Sequence, residues 1–155
     1  MIIDYKKLKK LHGKKITFAI GTFDLLHNGH LYFLNKAKKV CKKNKLLVGV
    51  ISDRIASKIK GDNRPIISEK QRAEMINNLK SVSYVFIAPE LTTGEVVKDV
   101  IAIVNPEYSV ITKSSWQNRK KPYSPKNTKI VIIEEELTNT STTNIINNIK
   151  GDRNE

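Results

Sequence analysis

The sequence predicts an α/β protein: a three-layer α/β/α sandwich around a mainly parallel, five-stranded sheet. Three observations predict it. Short continuous apolar runs recur along the chain, as strands buried on both faces require. Segments of helical period separate most of them, and that alternation implies parallel strands joined by crossover helices. The chain has 155 residues, which suits one domain with a real core.

The elements follow in order. The leader MIIDYKKLKKLHGKK is basic, and Tyr5, Leu8 and Leu11 stand at helical spacing within it. It has neither the apolar core nor the small-residue cleavage site of a signal peptide. ITFAI, Ile16 to Ile20, is the first strand and stops at Gly21. From Gly29 the pattern turns helical, with Leu31, Phe33, Leu34, Ala37 and Val40 as the apolar stripe and lysines opposite. LLVGVIS, Leu46 to Ser52, is the second strand. Arg54 to Lys60 is a short helical or loop piece ending at Gly61, and Pro65 interrupts any helix beyond it. Ser68 and Gln71 resemble a capping box opening a helix through Met75, Ile76 and Leu79. Tyr84 to Ala88 is the third strand, and Thr93 to Val104 a helix with Val96, Val97, Val100 and Ile103 inward. Tyr108 to Thr112 is the fourth strand. Lys113 to Thr128, polar, basic and holding two prolines, reads as a loop before a fifth strand at Lys129 to Ile133. Ser141 or a neighbouring threonine caps a last helix through Ile145, Ile146 and Ile149, and GDRNE is a frayed tail.

Composition narrows the partners. The net charge of +13, most of it lysine, favours anionic ones. Nucleotides, pyrophosphate and sugar phosphates qualify, as does nucleic acid. However, the interleaved aromatics of a nucleic-acid module are missing, and only the charge and the run Arg119 to Lys121 speak for one. Abundant Lys, Asn and Ile also fit a compositionally biased genome. No apolar run reaches the ~20 residues of a membrane span, so neither a membrane nor nucleic acid is an expected partner. Cys41 is the single cysteine, which excludes an internal disulfide; it reads as a small packed residue or a reactive thiol. A cytoplasmic location is expected.

Ligands of such folds bind beyond the carboxyl ends of the strands. The segment there after the first strand is GTFDLLHNGH. Gly21 permits a tight exit from the strand and close approach of a ligand. Thr22 offers a hydroxyl and an N–H, and Asn28 or a neighbour caps the helix. Gly29 leaves room beside a helix N-terminus, where free N–H groups and the helix dipole favour phosphate. His27 and His30, three apart, share one side of the first turn. They can donate hydrogen bonds to phosphate and stabilise the charge that builds on an α-phosphate and a departing pyrophosphate. Two histidines also suit a metal pair, but that needs further ligands, and the remaining histidine, His12, lies in the leader. Two unrelated surface histidines are the plainest alternative.

GTFDLLHNGH resembles the first signature of the HxGH cytidylyltransferase-like nucleotidyltransferase superfamily in Gly21, Thr22, Phe23, Asp24, His27, Gly29 and His30 together. The resemblance extends through KGDNRP and SEKQRAEMI, and implies a Rossmann-like fold in which Lys60 reaches phosphates and Arg72 points into the site. Arg64 either joins them or fixes the loop. The hydroxyl run Thr140 to Thr143 exceeds what capping needs, and Ser141, Thr142 and Thr143 suit the β- and γ-phosphates of an NTP. STTNII is similar to the C-terminal signature of heptose 1-phosphate adenylyltransferases. The related glycerol-3-phosphate cytidylyltransferases carry an arginine a few residues earlier, where EEELTNT has none.

After the fourth strand the superfamily often has a Gly-Asp pair. This chain has Lys113, Ser114, Ser115 and Trp116 instead. Lys113 resembles a lysine of the heptose enzymes and is expected to contact the nucleotide; Trp116 either stacks on a base or packs the loop. The resemblance implies transfer of a nucleoside monophosphate from ATP or CTP to a small phosphorylated metabolite. Mg²⁺ arrives with the nucleotide, with Asp24 the nearest candidate carboxylate and no metal held by the protein alone. A sugar 1-phosphate with ATP is favoured, ahead of glycerol 3-phosphate or a phosphorylated amino alcohol with CTP, and of FMN with ATP. The resemblance also implies a homodimer.

Overall fold

The computed structural model describes residues 1–117, 125–134 and 141–151. The sheet is formed by β1 (Ile16–Gly21), β2 (Lys45–Val50), β3 (Tyr84–Ile87), β4 (Tyr108–Thr112) and β5 (Lys129–Ile133). Its order is β3-β2-β1-β4-β5, and every pairing is parallel. The chain steps outward from β1 to β2 and β3, then returns to β4 on β1's other side. The strand order therefore reverses between β1 and β4, which opens a crevice at their carboxyl ends.

Alternation along the strands builds two cores. Ala19, Leu46, Val48 and Val50 face α1 (Asn28–Val40) and α3 (Glu69–Asn77), against Leu34, Ala37, Ala73 and Ile76. Ile16, Phe18, Leu47 and Phe86 face the other way, against Leu8 and Leu11 of the leader and Val96, Val97, Val100 and Val104 of α4 (Thr93–Val104). The remaining helices are α2 (Asp53–Lys60), α5 (Lys113–Gln117) and α6 (Thr142–Lys150).

Several expectations are corrected. The leader forms a 3₁₀ helix, Tyr5–Leu11, capped by Asp4, whose side chain accepts the Lys6 amide at 2.8 Å. Ser68 caps α3 without a reciprocal box, because the Gln71 side chain bonds the Ser68 hydroxyl, not its amide. Leu79 lies beyond the end of α3 at Asn77. Ile101 and Val104 are buried in α4 where Ile103 was expected; Ile103 is only partly covered. The first turns after β4 are helical where the sequence reads as loop, for β4 and β5 are parallel and need a crossover. Thr112 Oγ accepts the Ser115 amide at 3.4 Å and so caps that turn. Arg119 to Lys121, Thr140 and most of the EEELTNT string and tail lie outside the described residues, as does the Trp116 side chain.

Candidate active site

A cleft of about 650 Å³ lies over the carboxyl ends of β1, β2, β4 and β5. Gly21, Thr22, Phe23, Asp24, His27, Gly29 and His30 line it from the first crossover, Lys60 and Arg64 from the middle segment, and Ser141, Thr142 and Thr143 from α6. Segments distant in sequence thus meet at the strand-order reversal, as the fold rule requires.

His27 is the N-cap of α1, with extended backbone. Its Nδ1 accepts the Gly29 amide at 3.1 Å, while the Nδ1 of His30 accepts the His27 amide at 3.4 Å. This is a capping box built from two imidazoles, where Ser or Thr with Glu or Gln is usual. A ring nitrogen that accepts an N–H carries no proton, so each neutral ring holds its proton on Nε2. The rings stack, with centroids 3.8 Å apart and planes 26° off parallel. Burial first, then the neighbouring His27, pushes His30 down to about 4, with Asp24 opposing. Burial lowers His27 as well. Near neutral pH the site therefore presents two uncharged Nε2–H donors, with no cationic ring to disperse.

Phe23 braces this pair. Its ring meets His30 edge-on, with centroids 5.4 Å apart. The backbone at Phe23 and Leu25 is left-handed, φ 55° and 45°, a conformation that non-glycine residues adopt at a cost. The Phe23 ring folds back over Gly21, where a Cβ would approach it to 2.9 Å. The glycine is thus required by Phe23 packing, whereas the sequence suggested a tight exit and ligand approach.

Asp24 is buried, and its carboxylate accepts Arg64 Nε at 2.8 Å and the amides of Ile66 and Ile67 at 3.0 Å each. Burial alone would raise its pKa, but the two amides and Arg64 outweigh that and hold it below the usual range. Its backbone carbonyl accepts the Thr142 hydroxyl at 2.6 Å. Asp24 therefore joins the first crossover to the middle loop and to α6. With both oxygens engaged by protein, it does not fit the part of a metal ligand. Of the two roles open to Arg64, the bond to this carboxylate is that of fixing the loop.

The expectation that Arg72 points into the site is corrected. Its side chain is wholly buried, and Arg72 does not line the cleft. Nε donates to the Ile67 carbonyl at 2.8 Å, one terminal nitrogen to the Thr22 carbonyl, and the other to the Ile51 carbonyl at 2.9 Å and Asp53 Oδ1 at 2.7 Å. It pins the ends of β1 and β2 and the start of α2 to one loop. Lys113 is corrected too: its Nζ pairs with Glu134 at 3.0 Å, and Glu134, not Lys113, lines the cleft.

Lys60 ends α2 beside Gly61, whose φ of 100° turns the chain away. It is exposed at the cleft rim and has no ion pair among the described residues. At α6, Ser141 accepts the Asn144 amide at 3.1 Å, leaving the Thr142 and Thr143 amides as first-turn donors outside the helix's own bonding. Two helix N-termini, those of α1 and α6, thus face one cleft. The wall also holds Tyr32, Ile59 and Thr93, which sequence reading did not single out, and residues at the exits of the fourth and fifth strands, Thr112, Ser114, Ser115 and Glu134, where such folds bind ligands. The signal available for Thr112, Ser114 and Glu134 was position, since each ends or follows a strand.

A model of a family described as cytidylyltransferase-like matches residues 18–148. "Bifunctional protein HldE" of Campylobacter fetus subsp. fetus is 37% identical over 139 residues, 90% of this chain. The protein of the same name from Nitratiruptor sp. is 43% identical over 104 residues, 66% of this chain. The chain spans only 29% and 21% of their lengths. Among solved structures, the lipopolysaccharide core biosynthesis protein of Thermoplasma volcanium aligns over 79% of this chain and 98% of that one, at 27% identity and a TM-score of 0.60. Pantoate-beta-alanine ligase of Francisella tularensis aligns over 97% of this chain and 77% of that one; at 17% identity and a TM-score of 0.59 it shares the fold. With the family match spanning the strands, the paired-histidine crossover and the start of α6, the chain belongs to the cytidylyltransferase-like family of nucleotidyltransferases.

Proposed function

We propose that this chain transfers AMP from ATP to a sugar 1-phosphate, releasing pyrophosphate. The observation that carries the nucleotidyl transfer is the pairing of the histidines: both Nδ1 atoms accept backbone amides, which leaves each ring's Nε2–H as a donor at the cleft wall. A phosphate oxygen of the acceptor attacks the α-phosphorus, the bond from that phosphorus to the bridging oxygen breaks, and pyrophosphate leaves with the electron pair. The protein supplies no nucleophile. His27 and His30 donate to phosphate oxygens as charge grows on them, and the amides at Thr142 and Thr143 receive the rest of the triphosphate. Lys60 follows the phosphates from the rim.

Mg²⁺ belongs to this reading as a partner of the nucleotide, where it would neutralise phosphate charge. No group of three or more His, Cys, Asp or Glu gathers among the described residues, so no protein cage for it is invoked. The sugar acceptor is supported by relatives that carry the HldE name and by a solved structure named for biosynthesis of the lipopolysaccharide core, which bears saccharide. A cytoplasmic homodimer completes the reading. The test is a matrix of ATP and CTP against sugar 1-phosphates, glycerol 3-phosphate, phosphorylated amino alcohols and FMN, scored by pyrophosphate release. ATP with a sugar 1-phosphate should exceed every other pair; CTP with glycerol 3-phosphate in first place would overturn the substrate assignment.

A further inference from the structure

Exposed lysines stand at the starts of the strands, at the pole away from the cleft. Lys14 and Lys15 precede β1, Lys42 and Lys43 precede β2, Lys80 comes before β3, and Lys129 begins β5; all are exposed. Because neighbouring strands lie about 4.8 Å apart, these side chains form a strip roughly 19 Å wide along the sheet's amino-end edge. The carboxylate at the start of these strands among the described residues is Glu107, and it accepts the Asn44 side-chain amide at 3.1 Å. Around the cleft, by contrast, three cations stand beside carboxylates, Arg54 with Glu90, Arg64 with Asp24 and Lys113 with Glu134, and Lys60 stands unpaired among the described residues.

The strip cannot serve the cleft. Strands of five or six residues, rising about 3.3 Å each, separate the two poles by roughly 15–20 Å. That is about twice the Debye length of ~8 Å at physiological salt. The chemistry of the strip also narrows its partner. It is made of lysines, which attract phosphate as point charges without the planar fork that reads geometry. The aromatic rings at this edge, Tyr84 and Tyr108, are partly buried, with Lys14 and Lys129 each 6.0 Å over a ring, so no stacking platform is offered to bases. At the β3 corner Met1 and Ile2 expose 64% and 48% of their surface, next to Ser83 and Val85.

A lysine strip with an apolar corner matches an anionic bilayer better than a nucleic acid: the headgroups take the charges and the acyl boundary takes the corner. We infer that the amino-end edge of the sheet is a docking surface for anionic lipid, which holds the protein peripherally with the cleft turned toward solution. This revises the expectation of no membrane partner and does not depend on which substrates the cleft takes.

The test is sedimentation of the full chain with vesicles of pure phosphatidylcholine, or of phosphatidylcholine with one-third phosphatidylglycerol. Binding to the anionic vesicles at low salt, weakening as salt rises, is expected. The triple variant Lys15→Gln, Lys42→Gln, Lys43→Gln should bind about 100-fold more weakly, at about fivefold per lysine. Its melting temperature and pyrophosphate release in solution should be unchanged. A control triple, Lys58→Gln, Lys70→Gln, Lys98→Gln, should lose less than tenfold. Equal binding to neutral vesicles, no binding to anionic ones, equal losses in the two triples, or binding to duplex DNA but not to vesicles would each overturn the inference.

Discussion

The cleft has a braced wall and a loose rim. In the braced wall, each polar group is held by another part of the protein. The His27 ring accepts the Gly29 amide and the His30 ring the His27 amide, Asp24 is closed by Arg64 and two amides, and Arg72 serves four acceptors. At the rim, Lys60 stands exposed on the last turn of α2 beside Gly61. The difference teaches where aim matters. A neutral N–H donor is useful only if it points at the developing charge, so it needs a rigid frame. An ammonium attracts phosphate from many directions, so it tolerates a tether.

The comparison can be broken at its strongest point first. His30→Ala removes a donor and half of the imidazole capping box; kcat should fall about 10²- to 10³-fold. Nucleotide affinity, measured by calorimetry, should change little, since two helix N-termini remain. A folded His30→Ala protein with ordinary turnover would sink the assignment of the braced wall.

Arg72→Met tests whether that wall depends on its frame. It strands three carbonyls and the Asp53 carboxylate, and should cost about 3–5 kcal/mol in denaturant unfolding. Lys60→Ala should do the reverse: unfolding shifts by less than about 0.5 kcal/mol, while kcat/KM falls about 10- to 100-fold, as for a lost charge-assisted bond. Were Arg72→Met stable but inactive, Arg72 would belong with Lys60, and the contrast would collapse.

The smallest effect is protonation. His30 is held down to about 4 in the folded protein, against 6.5 ordinarily. The unfolded chain therefore binds the extra proton first as pH falls, and stability declines from pH 6.5 toward 4. Followed by NMR through its imidazole Cε1–H shift, His30 should stay flat from pH 8 to 5.5. A His30 midpoint near 6.5 would mean that its Nδ1 is not engaged by the His27 amide.

Much of this was legible in the sequence. The apolar runs gave all five strands to within a residue or two, because the strands of a parallel sheet read as near-continuous apolar runs, even at the partly exposed edge strand β5. The crossover GTFDLLHNGH announced itself because a glycine, two histidines and a helix start fell at a strand's carboxyl end. Arg72 shows the limit. One-dimensional pattern places an arginine near a site without saying whether its guanidinium meets solvent, ligand or carbonyls. Lys113 was misread for the same reason: its partner Glu134 lies in a different strand's exit.

The sequence by itself determined the parallel α/β architecture, the crossover with its two histidines, and the hydroxyl-rich start of α6, since these are local patterns of polarity and turn chemistry. Only the tertiary structure decided which nitrogen of each histidine is engaged, that Asp24 and Arg72 are framework while Lys60 is free at the rim, and that lysines from separate segments share the far pole. Those outcomes depend on which carbonyls, amides and charges the strand order brings within bonding distance, and no local pattern encodes that.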